Sequence, residues 1–256
     1  MIQRVFLCLC FAAAVSLPVR AVAETSRLRA LAGERLEFAV RWGILPAARA
    51  VLEVIPEGPD RLRLRSSSRT LPWLDVLYPV QDEIESLVET TEPRVVSFRR
   101  RSRTGWHDTV EEHIRFESGT AFYSRDGVLR GTKRVPPGVQ DPLSSLFAYR
   151  ALPSPFEEEA RFDVTDGLVL IAGTVTAGER ETVETPAGTF ETVRVEPRLE
   201  GIRGVFPRRP GARIVLWLTD DRWHRPVRLE SEVVVGSFVA ELIRVVAPAA
   251  YPPDPR

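Results

Sequence analysis

The residue types that most often perform catalysis or bind metals are scarce in this chain of 256 residues. It contains three histidines, at His107, His113 and His224, and two cysteines, at Cys8 and Cys10. Imidazoles and thiolates are frequent general bases, nucleophiles and zinc ligands. Both cysteines lie in an apolar run near the start of the chain, so beyond that run only the histidines and the carboxylates remain as candidates.

The spacing of the histidines argues against a metal site. His107, Glu111 and His113 share one face of a stretch that alternates like a β-strand, but the two histidines are six residues apart. On a straight strand that spacing separates them by about 20 Å, so one ion cannot bind both, and a solvated sheet face is the preferred interpretation. His224 falls in a predicted hairpin loop, where we expect it to be exposed. We therefore predict no metal site, no catalytic residue and no cofactor.

The carboxylates give weaker signals. Asp82 shares strand parity with Val80 and Ile84, so it is predicted to point inward, where it needs an arginine or other donors as partner. Asp220 and Asp221 precede a turn, a position at which aspartates usually serve turn chemistry. Neither a nucleophile elbow nor a phosphate-binding glycine loop occurs beyond the N-terminal run.

Two-residue alternation dominates the rest of the chain and predicts antiparallel β-strands. It begins at Leu36, Phe38, Val40 and Trp42. The later strands are predicted over 50–54, 62–64, 80–88, 94–103, 106–117, 161–163, 168–177, 181–185, 189–197, 212–219, 226–235 and 238–246. The fold class is thus all-β with one short central helix: a large antiparallel, strongly curved sheet or an open β-barrel or clamshell.

Two segments interrupt the alternation. Asp141–Ala151 is the clearest helix, because Asp141 can cap the first amides and Pro142 suits the first helical position. This helix is expected to cross from one group of strands to the other. Leu71–Pro79 fits neither period and is interpreted as a short apolar helix or lid.

The ends of the chain predict export. Residues 1–23 have a basic start, a short apolar run and small residues at Ala21-Val22-Ala23, which is the pattern of a cleavable secretory signal. We therefore predict a periplasmic protein with a lead over 24–32, a single β domain over 33–246 and a disordered proline-rich tail over 247–256. No later apolar stretch is long enough for an integral membrane span.

The charge of the chain argues against nucleic acid as a partner. Arginines and lysines number 35 against 35 acidic residues, and removal of the predicted signal takes away Arg4 and Arg20. The nearly neutral remainder offers no electrostatic attraction to a polyanion.

Several phrases in the chain resemble a known family. These are Thr185-Pro186-Ala187-Gly188-Thr189-Phe190-Glu191-Thr192, Trp217-Leu218-Thr219-Asp220-Asp221, Arg225-Pro226-Val227-Arg228-Leu229-Glu230, Gly236-Ser237-Phe238, Tyr78-Pro79-Val80-Gln81-Asp82 and Asp141-Pro142-Leu143. In this order they resemble an exported bacterial family called domain of unknown function 3108, over about residues 33–246. The hairpin Ile214–Leu229 also resembles one in periplasmic lipoprotein carriers, which have an open, curved sheet around a hydrophobic cavity.

Three hypotheses for function follow. The first is a non-enzymatic carrier or binding protein for an apolar or lipid-like ligand, whose site is predicted at Trp42, Trp73, Tyr78, Asp82 and Phe98. The second is an interaction or structural module, an accessory to envelope assembly that binds an envelope protein through an exposed edge strand or through the proline-rich tail. The third is a hydrolase of envelope polymers, which needs two carboxylates about 5–10 Å apart in a cleft.

Overall fold

The structure is a computed structural model that describes residues 26–91, 94–199, 201–202, 213–232 and 237–248. The predicted signal and most of the predicted tail lie outside these residues. Fourteen strands form one sheet. They are β1 (Arg35–Trp42), β2 (Leu45–Pro56), β3 (Arg61–Thr70), β4 (Val80–Glu89), β5 (Arg94–Thr104), β6 (Val110–Glu117), β7 (Thr120–Arg125), β8 (Val128–Arg134), β9 (Ala160–Thr165), β10 (Leu170–Thr185), β11 (Gly188–Arg198), β12 (Ile214–Thr219), β13 (Pro226–Glu232) and β14 (Ser237–Val246).

Neighbouring strands of the sheet are also neighbours along the chain, with one exception. The order is β8-β7-β6-β5-β4-β3-β2-β1-β14-β13-β12-β11-β10-β9, so the first strand pairs with the last in the middle of the sheet. Every named strand pair is antiparallel. The edge strands β8 and β9 do not pair with each other, so the described sheet is not closed into a barrel. The prediction of a large, antiparallel, curved sheet is confirmed.

The sheet curls until its two ends meet without forming a continuous ladder. Gln140, beyond β8, makes an isolated parallel bridge to Val164 of β9. Gly167, in the turn after β9, lies so close to β6 and β7 that an added Cβ would come within 2.8 Å of Tyr123 and 3.1 Å of Ile114. These contacts hold the two edges near each other.

The predicted helix is confirmed and lies inside the curl. Helix α1 is a single turn (Pro72–Asp75) and helix α2 spans Pro142–Arg150. Asp141 accepts hydrogen bonds from the Leu143 and Ser144 amides, and the Ser144 hydroxyl completes a capping box. The link from β8 to β9 therefore places α2 against strands from both halves of the sheet.

Several strand predictions were wrong in their bounds, and three of them have a clear structural cause. The predicted strand 106–117 begins only at Val110, because Gly105 adopts a positive φ of 63° and places Trp106 in a turn. The predicted strands 168–177 and 181–185 are one strand, β10, whose register shifts between Ala177 and Arg180. A β-bulge at this point interrupts the alternation of side chains without ending the strand, so the sequence pattern wrongly predicts two strands.

The two faces of the sheet differ in chemistry. The inner face carries a continuous apolar core that includes Leu36, Leu64 and Ile114. The outer face of β1 to β4 carries arginines and glutamates that pair across strands. Arg35 pairs with Glu37 and Glu53, Arg63 with Glu57 and Glu85, and Arg65 with Glu83.

A buried ionic cluster joins three distant parts of the chain. The Arg150 guanidinium, at the end of α2, donates to Glu34 at 2.7 Å, and neither side chain is exposed beyond 1%. Arg225, after the β12–β13 turn, donates to the other oxygen of Glu34 at 3.5 Å. Arg150 also donates to the His224 carbonyl at 3.1 Å, and His224 Nδ1 donates to the Arg150 carbonyl at 2.9 Å.

This cluster overturns the expectation that His224 is an exposed loop residue. His224 is only 5% exposed, and burial is the main reason that its pKa is lowered. Asp221 accepts from the Trp223 and His224 amides, so the hairpin folds inward over the end of α2. The sequence pattern located the turn but not the surface that the turn packs against.

We expect the Glu34→Gln variant to lose about 3–5 kcal/mol of unfolding free energy, because it removes the carboxylate that is buried against the Arg150 guanidinium. Glu37→Gln, three residues further on in the outer-face network, is the control and should cost no more than about 1 kcal/mol. Urea denaturation of both variants measures the difference. Equal effects of the two substitutions would contradict the role assigned to Glu34.

Candidate functional site

An apolar cavity of about 250 Å³ lies between α2 and the inner face of the sheet. Both halves of the sheet contribute to it, as does one side of the helix. Its lining includes Phe38, Ala50, Leu52, Ser66, Ile84, Leu143, Leu146, Tyr149, Phe162, Val164, Gly173, Val175, Val195, Leu199, Ile214, Leu216, Leu218, Leu229, Ser231 and Ala240.

The cavity exists because small side chains occupy inward positions on several strands. Ala50, Ser66 and Ala240 stand at strand positions where larger apolar residues would reach α2. At Gly173 an added Cβ would come within 2.2 Å of Leu199 Cδ2, so glycine allows the leucine to lie across the strand. Small residues on the inner face are a sequence signal for this space, and the sequence analysis did not use them.

The chemistry of the cavity suits an apolar ligand. No charged side chain lines it among the described residues. The Tyr149 hydroxyl donates to the Pro155 carbonyl at 2.8 Å, and burial raises the pKa of this phenol, so it stays neutral. A cavity of about 150 Å³ already holds benzene in a protein core, so this one has room for a larger apolar group.

A buried carboxylate anchors the start of α2 beside this cavity. Asp141 Oδ1 accepts from the Ser86 hydroxyl of β4 at 2.8 Å and from the Leu143 and Ser144 amides at 2.8 and 2.9 Å. The residue is fully buried and its Oδ2 has no hydrogen-bond partner. Burial raises the pKa of Asp141 to about 6 against these hydrogen bonds, which favour the charged form.

A second cavity, of about 270 Å³, lies on the other side of α2 and is less uniform in chemistry. Leu64, Val88 and Phe147 line its apolar part, whereas Glu89 and Arg94 also line it and pair with each other at 2.7 Å. Charged side chains in its wall make this cavity a poorer match for an apolar ligand.

None of the five predicted site residues lines the apolar cavity. Phe98 is buried in the core, and Asp82 pairs with Arg100 through two hydrogen bonds of 2.9 and 3.1 Å, the arginine partner that its strand parity required. Trp42, Trp73 and Tyr78 are 40–50% exposed at one end of the sheet. Three of the five residues therefore lie at the same end of the sheet, outside the cavity.

Arg100 lies between two carboxylates on the inner face. It pairs with Asp82 and approaches Glu112 to 3.9 Å, while the Tyr123 hydroxyl donates to Glu112 at 2.6 Å. A glycoside hydrolase needs one carboxylic acid and one carboxylate with open space between them. In this cluster an arginine occupies the position between the carboxylates, so the geometry gives the hydrolase hypothesis no support.

The remaining candidate residues stay apart. His107 lies in the exposed turn before β6, so it shares no strand face with His113. Burial, followed by the nearby Arg99 and Arg115, lowers the pKa of His113. Within the described ranges, no group of three or more histidine, cysteine or acidic residues is arranged to hold a metal ion.

Exposed apolar side chains concentrate at one end of the sheet, and we call this set the apolar rim. Eleven of the thirteen exposed large hydrophobic residues in the described part of the chain belong to it. They lie on the β1–β2 turn, on α1 and the turn after it, on the β5–β6 turn and at the starts of β8 and β14. The rim consists of Trp42, Ile44, Leu45, Trp73, Val76, Leu77, Tyr78, Trp106, Val128, Leu129 and Phe238.

The comparisons with known proteins concern the fold. A family described as protein of unknown function (DUF3108) matches residues 37–243. A β-barrel-like protein of the family DUF1849 from Brucella abortus is 13% identical, with a TM-score of 0.56, over 86% of this chain and 99% of its own. A hypothetical protein from Chlamydia trachomatis is 10% identical, with a TM-score of 0.35, over 92% and 97%. The search of curated proteins found no match.

The buried carboxylate at the start of α2 should make stability depend on pH. The pKa of Asp141 is about 6 instead of the usual 3.8, so the folded state favours its protonated form. This contribution to stability is fully present below about pH 4 and is lost as the pH rises through about 6. Asparagine also caps helices but does not titrate. We expect the Asp141→Asn variant to gain on the order of 3 kcal/mol relative to the wild type between about pH 4 and pH 7.

Urea denaturation at several pH values measures this difference. The exposed carboxylate of Asp163 on β9 offers a control, because Asp163→Asn removes the same charge without a buried site. Parallel stability profiles for Asp141→Asn and the wild type would refute the assignment.

Proposed function

The chain belongs to the family described as protein of unknown function DUF3108, and we propose that it is an exported, non-enzymatic protein that binds an apolar or lipid-like ligand in the cavity beside α2. The observation that supports the proposal is the lining of that cavity, which is mostly apolar and carries no charged side chain among the described residues. Burial of an apolar ligand there requires no charge to be desolvated.

The position of the cavity also supports binding. It is partly open, and α2 forms one wall while strands from both halves of the sheet form the others. Ligand sites commonly lie where distant parts of a fold meet, because such places are left concave. The uncompensated Oδ2 of Asp141 lies at the start of the same helix, so the helix is not packed for maximal stability.

Export to the periplasm rests on the N-terminal pattern of residues 1–23 and remains part of the proposal. The predicted ligand contacts of Trp42, Trp73 and Tyr78 also remain predictions, since these residues lie on the rim and not in the cavity.

The direct experiment is mass spectrometry of organic extracts from the protein purified without detergent from an exporting bacterial host. A lipid enriched to near-stoichiometric amounts over an unrelated periplasmic protein supports the proposal. A protein that carries no lipid and also takes up no fluorescent fatty acid would overturn it.

A cavity-filling substitution tests the location of the site. We expect Ala50→Phe to weaken binding of a fluorescent fatty acid at least about tenfold, equivalent to about 1.4 kcal/mol, because the ring occupies the cavity. Ala39→Phe, on the adjacent strand and the opposite face, is the matched control and should bind like the wild type.

Fatty-acid titrations should accompany thermal unfolding of both variants, so that a loss of binding is compared between proteins that are folded at the assay temperature. If Ala50→Phe is folded and binds with unchanged affinity, the ligand does not occupy this cavity.

A further inference from the structure

The apolar rim is unusual for a protein surface in both extent and shape. Ile44 is 88% exposed, Val76 74%, Trp106 69% and Leu77 66%, and these residues lie on three separate turns. Strands β14 and β1 to β8 all present an end to the rim, so at the usual strand spacing it runs for about 40 Å along the curved edge. A concentration of exposed large hydrophobic side chains along one edge marks an interaction site.

The rim is held in place by contacts with the backbone. The Trp73 indole donates to the Pro46 carbonyl at 3.1 Å, which ties α1 to the start of β2. The Tyr78 ring packs against Gly105, where an added Cβ would come within 2.8 Å of it. These contacts fix the aromatic side chains in outward-facing positions, so their exposure is a property of the folded loops.

Arginines outnumber carboxylates beside the rim. Seven arginines lie on the rim segments 41–49, 69–81, 101–111, 125–130 and 237–241, against five carboxylates. Arg69 is 71% exposed, whereas its partner Asp75 is 22% exposed, and Glu241, the partner of Arg41, is 18% exposed. Arg101 and its partner Glu111 are both exposed, at 62% and 60%. The apolar side chains of the rim are therefore flanked by a small excess of guanidinium groups.

We propose that the apolar rim docks onto the surface of a lipid bilayer that contains anionic phospholipids. Tryptophan and tyrosine favour the boundary between headgroups and acyl chains, and the aliphatic tips enter the acyl region. The arginines then meet the lipid phosphates. Separate protruding turns along a curved edge can each enter a fluid surface, whereas a protein partner would need a matching pocket for each.

This mode of binding goes beyond the proposed ligand in the cavity and is independent of it. No helix of the described residues is long and apolar enough to cross a membrane. The docking inferred here is peripheral and uses loops at the ends of strands.

Co-sedimentation with vesicles tests the proposal, using the chain exported by a bacterial host. The wild type should bind vesicles of phosphatidylcholine and phosphatidylglycerol more strongly than vesicles of phosphatidylcholine alone, and less at high salt. Brominated acyl chains in the vesicles should quench tryptophan fluorescence, because Trp42, Trp73 and Trp106 belong to the rim.

The variant Ile44→Ser/Leu77→Ser/Trp106→Ser should bind these vesicles at least about tenfold more weakly, since each side chain loses its burial in the acyl region. The matched control is Val169→Ser/Val246→Ser, which removes the two exposed large hydrophobic side chains that the described residues carry outside the rim and should bind like the wild type. All of these side chains are exposed, so circular dichroism should show folded proteins.

Three outcomes would overturn the proposal: a wild type that binds neither kind of vesicle, a triple variant that binds as well as the wild type, or a control that loses binding to the same extent. In the first of these outcomes, self-association of the wild type through the rim would assign the rim to a second copy of this chain. Ala50→Phe, the cavity-filling variant, should still bind vesicles. Vesicle binding and ligand binding in the cavity can therefore fail independently, and the two experiments tell these failures apart.

Discussion

The buried cluster of Glu34, Arg150 and Arg225 is the interaction on which the arrangement of the molecule depends. Glu34 immediately precedes the first strand, Arg150 ends the internal helix and Arg225 immediately precedes the thirteenth strand. The side chains of Glu34 and Arg150 are at most 1% exposed and that of Arg225 is 8% exposed, so the carboxylate of Glu34 meets both arginines only when all three segments are in place. The helix is thereby held at its C-terminal end, while Asp141 and Ser86 hold its N-terminal end against β4.

A helix fixed at both ends by polar groups cannot move to fill the space around it. The sheet positions that face α2 carry residues such as Ala50, Ser66 and Ala240, and the helix does not shift to compensate for their small volume. A fully packed interior would have van der Waals contacts that are missing around this cavity. The candidate site is therefore a consequence of two features that are unrelated in sequence, a polar anchor and small side chains on a curved face.

The sequence predicted the local parts of this structure well, because local parts have local causes. Strand alternation identified the sheet, and Asp141 with Pro142 identified the helix start, since a capping residue acts on amides only two or three positions away.

The cavity could not be predicted in this way, because Ala50 and Leu216 line it from opposite halves of the sheet. His224 was wrongly expected to be exposed for the same reason: its burial depends on a helix more than seventy residues away. Trp42 and Phe98 show what strand alternation cannot predict. Both have the parity of the inner face, but Phe98 is buried in the core whereas Trp42, at the end of its strand, is exposed on the rim.

The pairing of β1 with β14 has a consequence for how the chain reaches its native state. Residues 43–236 lie between the two partners along the chain, yet these strands are hydrogen-bonded in the middle of the sheet. Contacts at such sequence separation form slowly, because a long loop must close before the ladder gains any stability. While the last strand is missing, β1 is an open sheet edge, and such edges recruit strands from other molecules. The chain is thus most prone to misassembly during folding, before β14 pairs with β1. In that interval an unassisted chain can form domain-swapped dimers and aggregates.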